Sequence, residues 1–102
     1  MYKVKITVLE TTLNEKLARQ YGKPGLGPCP THQVGQVFFT STGMKPDGLC
    51  DEAWTAIKHY AFALSAGGEG FWEDWVQARN LAINSCNDGL RPVIFKIERI
   101  ED

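Results

Sequence analysis

Apolar and polar residues alternate at both ends of this chain and recur at helical spacing in between. Tyr2, Val4, Ile6 and Val8 share one face of the first segment and Lys3, Lys5 and Thr7 the other, the period of two that marks a strand buried on one side. The last segment repeats the pattern, with Val93, Phe95 and Ile97 set against Lys96 and Glu98. Pro92 stands at its first residue, a position where proline is tolerated. Pairing of the two terminal strands would bring Lys3 and Lys5 to face Glu98 and tie down both ends. A short apolar run from Leu81 to Cys86 joins this strand through Asn87-Asp88-Gly89. These residue types tolerate the left-handed angles that reversals need, so the pattern predicts a hairpin with a thiol at its mouth.

Between the ends the period changes. Thr12 followed by Glu15 resembles a capping box, and Leu13 to Tyr21 then reads as a short helix stopped by Gly22 at the C′ position; Asn14 is the rival cap. From Gly22 to Pro30 the sequence GKPGLGPCP is too rich in glycine and proline for a regular element. It is a loop that positions Cys29 and His32. Val34 to Thr40 has strand-forming residues, with Phe38 and Phe39 putting large rings on both faces. Lys45-Pro46-Asp47-Gly48 is a turn by composition. Cys50 to Ala66 is the long helix, closed by Gly67-Gly68. At about 100° per residue, Cys50, Ala53, Trp54, Ile57, Tyr60, Ala61 and Leu64 fall on one stripe, with Glu52, Thr55 and His59 opposite. Phe62 falls outside the stripe and, with the paired phenylalanines, points to a second apolar surface and a homo-oligomer. Glu69 to Asn80, with Phe71, Trp72 and Trp75 among carboxylates, fits either a helical turn or an aromatic loop.

These elements predict a single α+β domain spanning residues 1–102. Its sheet is small and mainly antiparallel, includes both terminal strands, and is covered by one long helix, with a short helix after the first strand. The chain has 102 residues, enough to bury roughly 65% of its unfolded surface without staples. Eleven basic residues against twelve acidic ones leave a net charge of −1, with the signs mixed, so no footprint for nucleic acid or an anionic membrane emerges. Lysines interrupt the first apolar segment, so a signal peptide is not expected there, nor is a membrane span anywhere. The three cysteines, at 29, 50 and 86, are then expected to be reduced thiols in a cytoplasmic protein.

Those cysteines are the main candidates for chemistry. Cys29-Pro30-Thr31-His32 offers two metal-ligand types on a loop, and Cys50 and Cys86 complete a Cys₃His set suited to zinc if the fold gathers them. Without His32 the three thiolates suit an iron–sulfur cluster with one iron open to a substrate. Free cysteine is also a common core residue that needs no function. Cys50, at a helix N-terminus that stabilises a thiolate, is the candidate nucleophile, with Asp51 and Glu52 acting against it. His59 lies about 180° from Cys50 around the helix and cannot serve as its base. Glu69, Glu73 and Asp74 are candidates for acid/base or cation-binding work, and Trp54, Trp72 and Trp75 for an aromatic pocket or the core. The glycines of GKPGLG and GGEG match neither a P-loop nor a dinucleotide fingerprint. Asn87, Asp88 and Arg91 either order the hairpin or meet a small anion. The small-molecule ligand, if there is one, is not specified.

The stretches KITVLETTLNEKLARQYG, GPCP with GQVF after it, GLCDEAW and CNDGLRPVIFKIERI together resemble a family of small, functionally uncharacterised proteins of anaerobic bacteria and archaea. The resemblance covers nearly the whole chain. It implies a cysteine at each of Cys29, Cys50 and Cys86, and so a thiolate site, but carries no activity. Members of that family often have a second cysteine where this chain has Ser85 and a proline where it has Asp51, departures that bear on a four-cysteine site and on the start of the helix.

Overall fold

In the computed structural model, which describes residues 1–100, the alternating segments form the sheet as expected. The elements run β1 (Lys3–Thr11), α1 (Glu15–Tyr21), β2 (Val37–Thr40), α2 (Asp51–Ser65), β3 (Leu81–Ser85) and β4 (Val93–Ile100). All strand pairs are antiparallel, in the order β2-β1-β4-β3. The protein is therefore an α+β domain whose two terminal strands lie side by side in the middle of its sheet.

Pleat geometry decides the core. Val4, Ile6 and Val8 of β1 and Val93, Phe95 and Ile97 of β4 are all buried on one face, and in register Ile6 stands opposite Ile97 and Val8 opposite Phe95. Helix α2 lies over that face and contacts β1, β3 and β4. Ala53, Ile57, Ala61 and Leu64 of its stripe are fully buried, while Cys50, Trp54 and Tyr60 are partly so. Small residues at 53 and 61 let the helix backbone approach the sheet closely, and Ile57 and Leu64 fill the space between. Lys5 stands opposite Glu98 in the register, but the ion pair of Glu98 is with Lys96 on its own strand, at 3.4 Å. Phe38 is buried against the core, whereas Phe39 is exposed on the other face, where the Lys3 ammonium lies 5.3 Å from its ring centre. Phe62, also exposed, rests over Gly43.

Several local readings need correction. The cap of α1 is Asn14, whose Oδ1 accepts from the Leu17 N–H at 3.1 Å. The Thr12 hydroxyl instead donates to the Pro92 carbonyl, so the residue ties α1 to the loop before β4. Gly22 ends α1 with an extended backbone, φ −82°, not a left-handed one. What requires glycine there is proximity: a Cβ would stand 2.7 Å from the Ala18 carbonyl oxygen. The hairpin loop from Cys86 to Pro92 has no left-handed residue either, Gly89 included. Its reversal is made by the Asp88 side chain, whose Oδ1 accepts from the N–H of Leu90 at 2.8 Å and of Arg91 at 3.0 Å, an Asx turn.

The segment after α2 is an aromatic loop that contains one helical turn, in which the Val76 N–H donates to the Trp72 carbonyl at 2.8 Å. Trp72 stacks on Trp75 with ring centres 5.5 Å apart and also meets Tyr60. Arg79 pairs with Glu69 and Glu73, and Arg99 with Glu69 at 2.9 Å. These guanidinium groups, Arg99 first, hold the Glu69 carboxyl below its usual range. Glu69 and Glu73 are thus fastenings of a loop.

Candidate functional site

Three chain segments that are far apart in sequence meet at one edge of the core. The loop before β2 brings Cys29, Thr31 and His32; the start of α2 brings Cys50, Glu52 and Ala53; the hairpin loop and β4 bring Cys86, Asn87, Asp88, Arg91, Val93 and Phe95. Together they enclose a cleft of about 270 Å³. All three cysteines of the protein line it, each partly buried and none in a disulfide. Its walls at Ala53, Val93 and Phe95 are core residues, so its polar groups face an apolar floor.

Each thiol is placed differently. Cys29 lies between Pro28 and Pro30, whose rings restrict the backbone on both sides. Its Sγ is 3.3 Å from the Thr31 hydroxyl. That hydroxyl, with the Thr31 backbone N–H, donates to the thiolate form and lowers the pKa of Cys29 below the ordinary thiol value. Arg91 contributes in the same direction, while burial and Asp88 oppose it. Cys86 closes the hairpin loop: its N–H donates to the Val93 carbonyl at 3.1 Å, and the Val93 N–H donates back to Cys86 Sγ at 3.3 Å. The sulfur therefore takes the place of a backbone acceptor.

Cys50 is the N-cap residue of α2, but its side chain makes no capping bond. Its backbone N–H donates instead to His32 Nε2 at 3.1 Å. Accepting there requires that the His32 hydrogen sit on Nδ1, which points to Gln36 Oε1 at 3.2 Å; the same oxygen accepts from the Gln33 N–H. The ring is 5% exposed and sits edge-on against Phe38 and Phe95, 5.3 and 6.3 Å between ring centres.

Charge around the cleft is dominated by one pair. Asp88 Oδ2 accepts from Arg91 Nε at 3.2 Å, and its carboxyl is held below the usual range, chiefly by the backbone N–H groups of Arg91 and Leu90. Asn87 Nδ2 reaches the Glu52 carbonyl at 3.4 Å and so links the loop to the first turn of α2.

The structure thus brings together Cys29, Cys50, Cys86 and His32, the full set predicted for a metal. Among the described residues, however, no three His, Cys, Asp or Glu side chains already stand close enough together to hold a metal ion. His59 is exposed beside Phe62, away from this cleft. The sequence reading missed Thr31; its position two residues after a cysteine, beyond a proline, is the signal for a local hydroxyl contact to the sulfur. It also missed that His32 serves the backbone of Cys50, a pairing with no local signature.

Fold and cleft together define a small α+β domain with a thiol-lined pocket. No family model, curated protein or solved structure matches the chain. Its residues alone therefore carry any reading of what it does.

Proposed function

We propose that the cleft is a thiolate-centred binding site in which Cys29, Cys50 and Cys86 together hold a soft metal, either zinc or an iron of an iron–sulfur cluster. The observation that carries this reading is the convergence of all three cysteines, from three separate segments, on one cleft. Thiolate sulfur is the donor that such metals prefer. The charges agree: Glu52, Asp88 and a Cys29 thiolate face one cation, Arg91, so the cleft favours a cation over an anion. Hydrogen bonds of the kind that the Val93 N–H directs at Cys86, and that Thr31 would direct at a Cys29 thiolate, also suit sulfur bound to a metal. Binding would draw the three sulfurs closer together than they now stand. The reducing cytoplasm is the setting this reading requires.

A second reading, a redox or nucleophilic thiol, is favoured by a specific observation at Cys29 rather than Cys50. Thr31 and Arg91 stabilise the Cys29 thiolate, and thiolate is the reactive form.

The test is elemental analysis with a visible spectrum on protein purified without oxygen or an affinity tag. Near-stoichiometric zinc or iron, lost in each of Cys29→Ser, Cys50→Ser and Cys86→Ser, supports the shared site. A metal-free protein in which Cys29 alone is alkylated rapidly supports the second reading. Metal lost from only one of the three variants contradicts a shared site.

A further inference from the structure

Sequence spacing makes His32 the natural fourth ligand beside Cys29, but its surroundings give it other work. Both ring nitrogens are occupied by the protein: Nε2 accepts from the Cys50 N–H at 3.1 Å, and Nδ1 faces Gln36 Oε1 at 3.2 Å. A neutral imidazole has one acceptor nitrogen to offer a metal. Here that nitrogen satisfies the amide that opens α2, one of the helix's unpaired N–H groups. Ligation would leave that part-buried amide without its acceptor, an unfavourable loss. It would also turn a ring wedged against Phe38 and Phe95.

Resting on the thiolate reading above, we infer that His32 is a positioning residue and not a ligand. It clamps the Cys29 loop to the backbone of Cys50, so that a metal in the cleft is held by three thiolates and no imidazole. The clamp explains why the ring is buried while every cysteine is only partly so. It also explains how a proline-flanked loop keeps a fixed distance from the start of α2. Two of the three thiols then owe their relative placement to one hydrogen bond.

Two measurements test this. In metal-free protein, long-range ¹H–¹⁵N correlations of the His32 ring should show hydrogen on Nδ1 and a bare Nε2, and the Cys50 amide should be protected from exchange. Both should persist when zinc is added; a His32 nitrogen that shifts to a metal-bound value, with loss of Cys50 protection, overturns the inference. Cobalt(II) titration of variants is the second. His32→Gln retains an acceptor for the Cys50 amide and should reproduce the wild-type charge-transfer and ligand-field bands. His32→Leu should keep the band shape but weaken cobalt binding about 10- to 100-fold, the usual cost of losing an outer-shell partner. Altered ligand-field bands in both variants would make His32 a ligand. If wild-type protein takes up neither metal, the thiolate reading fails. The ring tautomer in wild-type protein, and Cys50 amide exchange compared there and in His32→Gln and His32→Leu, still decide whether the clamp exists.

Discussion

Asp88 joins the stability of the fold to the chemistry of the cleft, and replacing it separates the two. Its Oδ1 accepts the Leu90 and Arg91 backbone N–H groups and its Oδ2 the Arg91 Nε. Asp88→Asn keeps an Oδ1 for the turn but presents an N–H₂ where Arg91 Nε needs an acceptor. Asp88→Ala removes all three bonds. At a net 0.5–1.5 kcal/mol for each hydrogen bond, discounted for a carboxylate about one-third exposed, the alanine variant should lose about 2 kcal/mol. For a domain of this size that is roughly 10 °C in Tm. The asparagine variant should lose only about 0.5–1 kcal/mol, the range of a surface ion pair. Folding lowers the Asp88 carboxyl pKa from its ordinary 3.8. Its contribution is therefore complete above that value and is lost as pH falls through the lower folded value. Wild type and Asp88→Asn should accordingly converge in Tm in acid, where both side chains are neutral. The same substitution removes a charge that opposes the Cys29 thiolate, so the pH midpoint of Cys29 alkylation by iodoacetamide should fall. Thermal unfolding across pH and alkylation rates read these effects on one set of samples. An asparagine variant as unstable as the alanine one would mean that the ion pair, and not the Asx turn, holds the loop. A midpoint that rises would mean that Arg91 leaves Cys29 when Asp88 releases it.

Two further outcomes are expected. Thr31→Val keeps the side-chain shape but loses the hydroxyl that ranks first among the causes of the low Cys29 pKa; alkylation at pH 7 should slow several-fold, since one pKa unit is a factor of about ten in thiolate. An unchanged rate would assign the effect to the backbone N–H and Arg91. Gly22→Ala places a methyl 2.7 Å from the Ala18 carbonyl oxygen and 2.9 Å from Leu26, and should cost about 1–3 kcal/mol by overpacking in denaturant unfolding. A neutral result would show that the end of α1 can yield.

The sheet and α2 were legible because their side chains obey one period over many residues. Val4, Ile6 and Val8 announce their face without help from the rest of the chain, and so do Ile57, Ala61 and Leu64. The turns were less so. Asn87-Asp88-Gly89 has the composition of a left-handed turn, yet the Asp88 carboxylate makes the reversal by hydrogen bonding, a choice that depends on where Leu90 and Arg91 must go. At the end of α1, Gly22 looked like a cap of one kind and is glycine for another reason, because the contact that excludes a Cβ involves a carbonyl one turn back. The thiol cleft was legible as a list of residues but not as a place. Sequence spacing says nothing about whether Cys29, Cys50 and Cys86 meet, since the loop, the helix start and the hairpin are brought together by the packing of Phe95, Ala53 and His32. The use of the His32 ring for an amide eighteen residues away is likewise a property of tertiary placement.

The strand order has a consequence for how the protein comes into being. With β1 and β4 adjacent at the centre of the sheet, β1 is synthesised well before β4 and waits for it before it has both neighbours. Until Val93–Ile100 has emerged, β3 lacks its partner, and the wall that Val93 and Phe95 supply to the cleft does not exist. Cys29 and Cys50 are synthesised well before that wall, so during this interval their thiols stand open to oxidants and to stray metals. Such long-range pairing is intrinsically slow. Closure of the cleft around Cys29 and Cys50 is thus a late event in the folding of this domain.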